Sequence, residues 1–329
     1  MILVTGGSGF IGSNLVAALA ARGRHDVVVC DRLGRDDKWR NLGSQELARF
    51  VDAEDLRGFL EHNFADIEII FHLGAISSTT TRDARRVVRT NFELPVWLWE
   101  LCARHRLRLI WASSAATYGD GSRGFDDDFR PEALARLEPQ SLYAWSKHLF
   151  DRYCARQLAA GAARPAQLAG LKFFNVYGPH EAHKGSQRSM VSQAVAVIRD
   201  TGQVRLFRSD DPALEHGGHR RDFVSVHDCV SVMLWLLDNP EVCGLFNVGT
   251  GTARSFNELA RAVFVAMGVR PRIEYIDMPS HLCGQYQSFT EARIDRLRAS
   301  GYLQPFQTLE AGVHAYVQDL LGLGRTREH

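Results

Sequence analysis

The opening thirty-one residues constrain the fold more than any later stretch. A short apolar run, ILVT, breaks into the glycines of GGSGFIG, and apolar residues at helical spacing follow through NLVAALAARG. A second apolar run, VVVC, then ends in Asp31. Gly6, Gly9 and Gly12 form GxxGxxG between strand and helix. Glycines there remove side chains that would keep a ligand from the backbone NH groups of the helix start, where the helix dipole favours an anion. An acidic residue closing the second strand, about 20 residues on, completes the arrangement that holds a dinucleotide.

The alternation continues. IEIIFHLGA and LRLIWASSAATYG are further apolar runs, with a helical stretch from Val87 to Arg104 between them, and LAGLKFFNVYG follows a helix starting near Tyr143. Short buried strands separated by helices predict an α/β fold, a doubly wound parallel sheet with its ligand at the carboxyl ends of the strands. After Asn175 the pattern loosens into a helix over Ser189 to Asp200, a short strand VRLFR and a polar loop over 209–218. RRDFVSVHDCVSVMLWLLDNP reads as a strand and helix returning to the first part, FNVGTG ends another strand, and SFNELARAVFVAMG is an amphipathic helix with a serine N-cap. The expected organisation is a nucleotide-binding domain, 1–174 with a returning segment of about 222–250, and a smaller, irregular substrate domain, 175–221 with about 251–329.

Charge narrows the partners. With 39 basic against 38 acidic residues, there is no electrostatic footprint for nucleic acid or an anionic membrane, and Arg82 to Arg89 read as a solvated helix face. No cationic leader precedes an apolar stretch, and no apolar run approaches the roughly 20 residues of a membrane span. The six cysteines are scattered without CxxC and the 13 histidines without HExxH, so reduced thiols in a cytoplasmic protein are expected, and no metal site. The terminal GRTREH is expected to fray.

Only four of the basic residues are lysine: Lys38, Lys147, Lys172 and Lys184. Arginine does not release its proton near neutral pH and lysine can be tuned to, so a chain this rich in arginine keeps lysine where arginine fails. Lys147 follows Tyr143 by four residues in YAWSK, which puts both on one helix face. A tyrosine that takes a proton from an alcohol needs its pKa brought from about 10 toward 7, and a neighbouring ammonium favours the phenolate. Ser113 and Ser114 close the fourth apolar strand at the same edge, so Ser114 is placed to bond the reacting oxygen. Asp31 suits the ribose of NAD, whereas Arg32, Arg35 and Lys38 beyond it suit a 2′-phosphate. The three cations favour NADP, with NAD left possible.

TGGSGFIG, Ser114, YxxxK, Asn91 and FFNVYGP resemble the extended short-chain dehydrogenase/reductase superfamily over nearly the whole chain, which implies a Rossmann-type sheet and a nucleotide-sugar substrate. HLGAISSTT, ASSAATYG, FNVYGPHEAHKGS, RRDFV, FNVGTGTARSF and GQYQSFT narrow the resemblance to the ADP-L-glycero-D-manno-heptose 6-epimerase family, with HEAHKGS the most specific segment. That resemblance implies an enzyme of lipopolysaccharide inner-core precursor synthesis. Its tightly bound NADP takes hydride from the sixth carbon of the heptose and returns it to the other face of the ketone.

Two acid/base groups serve the two orientations of that ketone, Tyr143 and Lys184, assisted by Lys147 and Ser114. Phe10, Ile11, Asp31, Arg32, Lys38, Leu73, Gly74, Ala75, Ile76, Ser77, Asn91 and Val176 are implied at the cofactor. Asn175, Ser186, Gln193, Phe207, Arg208, Ser209, Asp210, Arg221 and Tyr286 are implied at the substrate, with Arg221 on the diphosphate. The family also implies a homo-oligomer, a homopentamer. The chain departs from the family pattern at Arg32 (asparagine expected), Ala53 (lysine) and Gln193 (histidine), and in the longer loop through Pro212 to His219.

Three rivals are weighed against this. A nucleotide-sugar 4,6-dehydratase needs an acid and a base after the strand-end serine, where this chain has Ala115 and Ala116. A UDP-hexose 4-epimerase, or another nucleotide-sugar enzyme of the superfamily, shares Ser–Tyr–Lys and differs at HKGS. A nucleotide sensor without chemistry has no need of Ser114, Tyr143 and Lys147 together.

Overall fold

The computed structural model describes residues 1–323 apart from 35–36, 44, 79–80, 210 and 280–287. The expectations for Arg35, Asp210, Cys283, Tyr286 and the terminal GRTREH lie outside the described residues.

The first part of the chain runs β1 (Ile2–Thr5), α1 (Phe10–Ala21), β2 (Val27–Asp31), β3 (Arg49–Asp52), α2 (Leu56–Asn63), β4 (Ile69–His72), α3 (Ala84–Val88), α4 (Leu94–His105), β5 (Arg108–Ser114), α5 (Pro131–Leu134), α6 (Leu142–Ala159) and β6 (Leu168–Phe173). It continues through β7 (Asn175–Tyr177), α7 (Met190–Thr201), β8 (Val204–Phe207), β9 (Arg220–Arg221), β10 (Phe223–Ser225), α8 (Val226–Asp238) and β11 (Gly244–Val248). β12 (Arg254–Ser255), α9 (Phe256–Ala266), β13 (Ile273–Ile276), α10 (Asp295–Ala299) and α11 (Leu309–Leu320) complete it.

Seven strands form one parallel sheet in the order β11-β6-β5-β4-β1-β2-β3. β1 and β4 are buried at every residue because helices cover both faces, which is why they read as unbroken apolar runs. Leu15, Val16 and Leu19 of α1 meet Val232 and Leu236 of α8 on one face. Leu98, Trp99 and Cys102 of α4 meet Phe150 and Cys154 of α6 on the other. A third apolar cluster joins α7, α9 and α11 beyond the sheet. Chain order reverses between β1 and β4, so a crevice opens at their carboxyl ends, the place where such sheets bind ligands.

Two elements differ from the sequence pattern. β3 was not expected, since only Val51 of its four residues is buried and an edge strand of that kind leaves no apolar run. The strand that carries Ser113 and Ser114 is therefore fifth in the chain, not fourth. The helical stretch expected from Val87 to Arg104 runs from Ala84 to His105, and a π-turn over Arg89–Glu93 joins α3 to α4.

β11 extends the sheet by pairing with β6, and β10 pairs with β7. Cys30, Cys102, Cys154 and Cys229 are buried free thiols. Among the described residues, no helix is long and apolar enough to cross a membrane.

Candidate active site

The β1–α1 turn is built backbone on backbone. Gly6 has φ +69°, and a Cβ there would lie 2.6 Å from the Cα of Gly74 on the loop after β4. A Cβ on Gly12 would lie 2.2 Å from the Gly6 carbonyl oxygen. These glycines therefore let α1 start directly against the turn. Gly9 is the N-cap and provides no side-chain bond, so the first NH groups of α1, including those of Phe10 and Ile11, remain for an anion.

Asp31 closes β2 beside this turn. Its carboxylate accepts from the Ser8 NH at 2.9 Å, the Arg32 NH at 2.7 Å and the Lys38 ammonium at 2.9 Å. Lys38 reaches back from a 3-10 turn over Asp37–Leu42. Arg32 turns outward and pairs with Glu54 at 3.0 Å, where both are exposed.

The loop Leu73–Ser77 after β4 is held from behind by Asn91, which lies in the π-turn and is 1% exposed. Its Oδ1 accepts from the Ile76 NH at 2.8 Å, and its Nδ2 donates to the Ile76 carbonyl and the Ser146 hydroxyl, each at 3.0 Å. Ser146 in turn donates to the Tyr143 carbonyl at 2.7 Å. One asparagine thus fixes the loop under the crevice to the first turn of α6. Single π-turns inside α-helices recur at functional sites for this reason: the extra residue reaims a side chain.

Tyr143 and Lys147 follow the N-cap Ser141 on α6. The Lys147 ammonium donates to the Ala112 carbonyl at 2.9 Å, and burial pushes its pKa down to about 8 against the attraction of Asp151. Burial holds the Tyr143 phenol above its ordinary value, while its hydrogen bond with Ser114 acts the other way. The protein alone therefore does not bring the phenol down.

A second lysine is held over α1. Lys184 sits in a 3-10 turn, Ala182–Gln187, with its ammonium 5.0 Å from the centre of the Phe10 ring. Burial lowers its pKa, and Glu181 opposes that shift. Glu181 is 1% exposed and accepts from the Ser189 NH and hydroxyl and from the Tyr316 phenol of α11. Asn41 ties this segment to the glycine turn: its Nδ2 donates to the Ser8 carbonyl at 2.9 Å and the His180 carbonyl at 3.1 Å. Asn14 of α1 adds a bond to the Pro179 carbonyl at 3.0 Å.

The remaining expected substrate residues fall in two groups. Ser186 is exposed on the lysine turn, and Gln193 donates to the carbonyls of Ser186 at 3.3 Å and Arg188 at 2.7 Å, so Gln193 supports that turn. Asn175 and Val176 lie on β7, with Asn175 exposed. Arg221 is 6% exposed on β9 and donates to the Arg220 carbonyl at 2.9 Å, with its guanidinium 5.8 Å from the Phe256 ring.

Phe207 ends β8 and receives the Gly217 NH at 3.0 Å. Arg208 forms an exposed pair with Asp277 at 3.0 Å, and the Ser209 NH donates to His216 at 3.1 Å. The long loop through Pro212 to His219 is also tied to α9, where Asn257 donates to the His216 carbonyl at 2.8 Å.

Residues 2–249 match the NAD dependent epimerase/dehydratase family. The chain belongs to that family. The epimerase is 48% identical to the ADP-L-glycero-D-manno-heptose-6-epimerase of Nitratidesulfovibrio vulgaris (strain DP4), over 98% of both chains. It is 41% identical to the protein of the same name from Fusobacterium nucleatum, again over 98% of each. Among solved structures it is similar to Helicobacter pylori ADP-L-glycero-D-manno-heptose-6-epimerase, with a TM-score of 0.79 and 27% identity over 97% of this chain and 96% of that one. It is also similar to the UDP-glucose 4-epimerase of Thermus thermophilus, solved with NAD, with a TM-score of 0.75 and 26% identity over 98% and 99%.

The residues present fit a nicotinamide dinucleotide. Gly6 and Gly12 let the turn pack too closely for a Cβ, the α1 start offers NH groups to the pyrophosphate, and Asp31 stands where an adenosine ribose is read. Three residues that organise the site in this epimerase were not singled out from sequence. They are Asn41, Glu181 and Asp222, whose buried carboxylate collects the NH groups of Thr250 (2.7 Å), Gly251 (2.9 Å) and Ala292 (3.0 Å). Glu181 had a signal, being three residues before Lys184 in the most specific segment. Asn41 had none.

Proposed function

We propose that this epimerase inverts the sixth carbon of the heptose in ADP-D-glycero-D-manno-heptose, giving the L-glycero epimer, on tightly bound NADP. Near-full-length likeness to proteins named for that activity supports the substrate. The observation that carries the reading is Lys184, a second proton-exchanging group fixed above Phe10 in addition to Tyr143. Inversion through a ketone that turns over presents its oxygen in two directions, and each direction needs an acid and base within reach.

When bound, the nicotinamide supplies a reversible hydride acceptor for the carbinol carbon. Gly6, Gly9, Gly12, Phe10, Ile11 and Asp31 would hold it, with Leu73, Gly74, Ala75, Ile76, Ser77, Asn91 and Val176 along the crevice. Tyr143 takes the hydroxyl proton as the carbonyl forms and Ser114 bonds the same oxygen. Lys147 keeps a positive charge near the phenol, which favours phenolate. Lys184 returns the proton in the other orientation, a task arginine cannot perform.

Arg221 receives the diphosphate in paired hydrogen bonds. Asn175, Ser186, Phe207, Arg208 and Ser209 border the sugar nucleotide. Lys38, drawn against Asp31, supports NADP over NAD, whereas Arg32 is turned onto Glu54. Substrate is taken up between a lobe of 1–174 with about 222–250 and a lobe of 175–221 with about 251–329. We further read the enzyme as a cytoplasmic homopentamer in lipopolysaccharide inner-core precursor synthesis.

The deciding experiment is epimerisation of ADP-heptose beside UDP-galactose, run in heavy water. Turnover of ADP-heptose with no deuterium at the sixth carbon is expected. Turnover of UDP-galactose alone would assign a 4-epimerase instead, and stoichiometric deuterium at the sixth carbon would replace hydride transfer by carbanion chemistry.

A further inference from the structure

Of the four lysines, Lys172 has no part in the scheme above, yet it is the most deeply placed. Lys172 on β6 and Asp151 on α6 are both 0% exposed, with ammonium and carboxylate 3.1 Å apart. Burying such a pair is costly unless every remaining donor and acceptor is satisfied. Here they are. Asp151 accepts from the Ser113 hydroxyl at 2.6 Å and the Trp111 indole NH at 3.1 Å. The Lys172 ammonium also donates to the Thr117 hydroxyl and faces the Tyr118 ring, 4.6 Å from its centre. The Thr117 hydroxyl passes the connection on by donating to the Ser114 carbonyl at 2.7 Å.

The placement of this network is informative. Tyr143, Lys147 and Asp151 are four residues apart along α6, so they share one face. Ser113 and Ser114 are the last two residues of β5. The ammonium therefore joins the helix that carries the phenol to the strand end that carries its hydrogen-bond partner.

We infer that Lys172 is a positioning residue for Tyr143: it fixes Ser114 against α6 and partly offsets the charge of Asp151, which otherwise bears in full on the phenol two helical turns away. The inference rests on the proton-exchange role proposed for Tyr143.

The charged and titratable groups around the pair are few. Lys147 and His148 face it from α6, and Cys154 lies one turn further on. Asp127 acts on Lys172 from the loop before α5, and Tyr118 lies after β5. Asp151 acts to raise both the Tyr143 phenol and the Lys147 ammonium. Without Lys172 these effects are no longer balanced, and both groups move to higher pH.

The test is an ultraviolet difference titration of the phenolate in the holoenzyme, each profile corrected by its Tyr143→Phe counterpart. This readout needs no substrate, so it is separate from any failure of the ADP-heptose assignment. In Lys172→Met the Tyr143 midpoint is expected to rise by about one pH unit. In Lys172→Met combined with Asp151→Asn, which removes both charges of the pair, it is expected to return toward the wild-type value. Lys172→Gln keeps a donor for Thr117 without the charge, and decides the matter if the methionine variant fails to fold. A midpoint that stays at the wild-type pH in the folded charge-removing variants overturns the inference and leaves Lys172 a packing residue.

Discussion

Tyr143 and Lys184 make separable claims at the scale of single residues. Tyr143→Phe removes the proton acceptor while leaving the ring in place, so turnover is expected to fall about 10³-fold with the cofactor retained. Near-normal turnover in a holoenzyme preparation would refute the role. Lys184→Met removes an ammonium that stacks on Phe10. Its expected signature is a fall in kcat of about 10²-fold with KM little changed, and an effect on KM alone would make Lys184 a binding residue. Both residues were singled out from sequence, Tyr143 through its spacing to Lys147 and Lys184 through the scarcity of lysine. The Asp31–Lys38 pair was not, because it depends on a 3-10 turn bending back over seven residues. Sequence could set the two residues in one loop but could not say that the cation meets the carboxylate.

At the scale of elements, the β1–α1 joint is the least tolerant part of the site. A methyl group at Gly12 would sit 2.2 Å from the Gly6 carbonyl oxygen, and the neighbours there are backbone, which cannot step aside. Gly12→Ala is therefore expected to abolish cofactor retention and lower the melting temperature, checked by nucleotide content after purification and by thermal unfolding. Full retention would show that α1 can slide. The joint was readable because strand, glycines and helix are contiguous. Contiguity also explains what was missed. β3 has one buried residue, and its identity as a strand comes from pairing with β2. The role of Asn91 needed the π-turn, whose extra residue leaves no mark in apolar spacing. The support that Gln193 gives the lysine turn depends on contacts to backbone carbonyls, which carry no sequence signal.

The molecule as a whole should lose stability toward acid. Burial pushes the pKa of His72 down to about 3 and that of His148 down to about 4. Both folded values lie below the ordinary histidine value, so their contribution is present above about pH 6.5 and is lost as the pH falls toward those values. Asp127 opposes this: burial raises it to about 6, so its contribution is greatest in acid and fades as pH rises through that value. Burial also lowers His180 and His227 and raises Asp222 and Asp228, so among the described residues four histidines act against three carboxylates and a net fall in melting temperature is expected between about pH 7 and 5. Melting curves across that range check the sign, and a rising melting temperature on acidification would contradict it. The parallel sheet followed from strand–helix alternation.

Asn41 has a wider consequence. A single amide spans from the Ser8 carbonyl to the His180 carbonyl, so the glycine turn and the segment that carries Lys184 share one fastening. A displacement of either segment is therefore passed to the other through that amide.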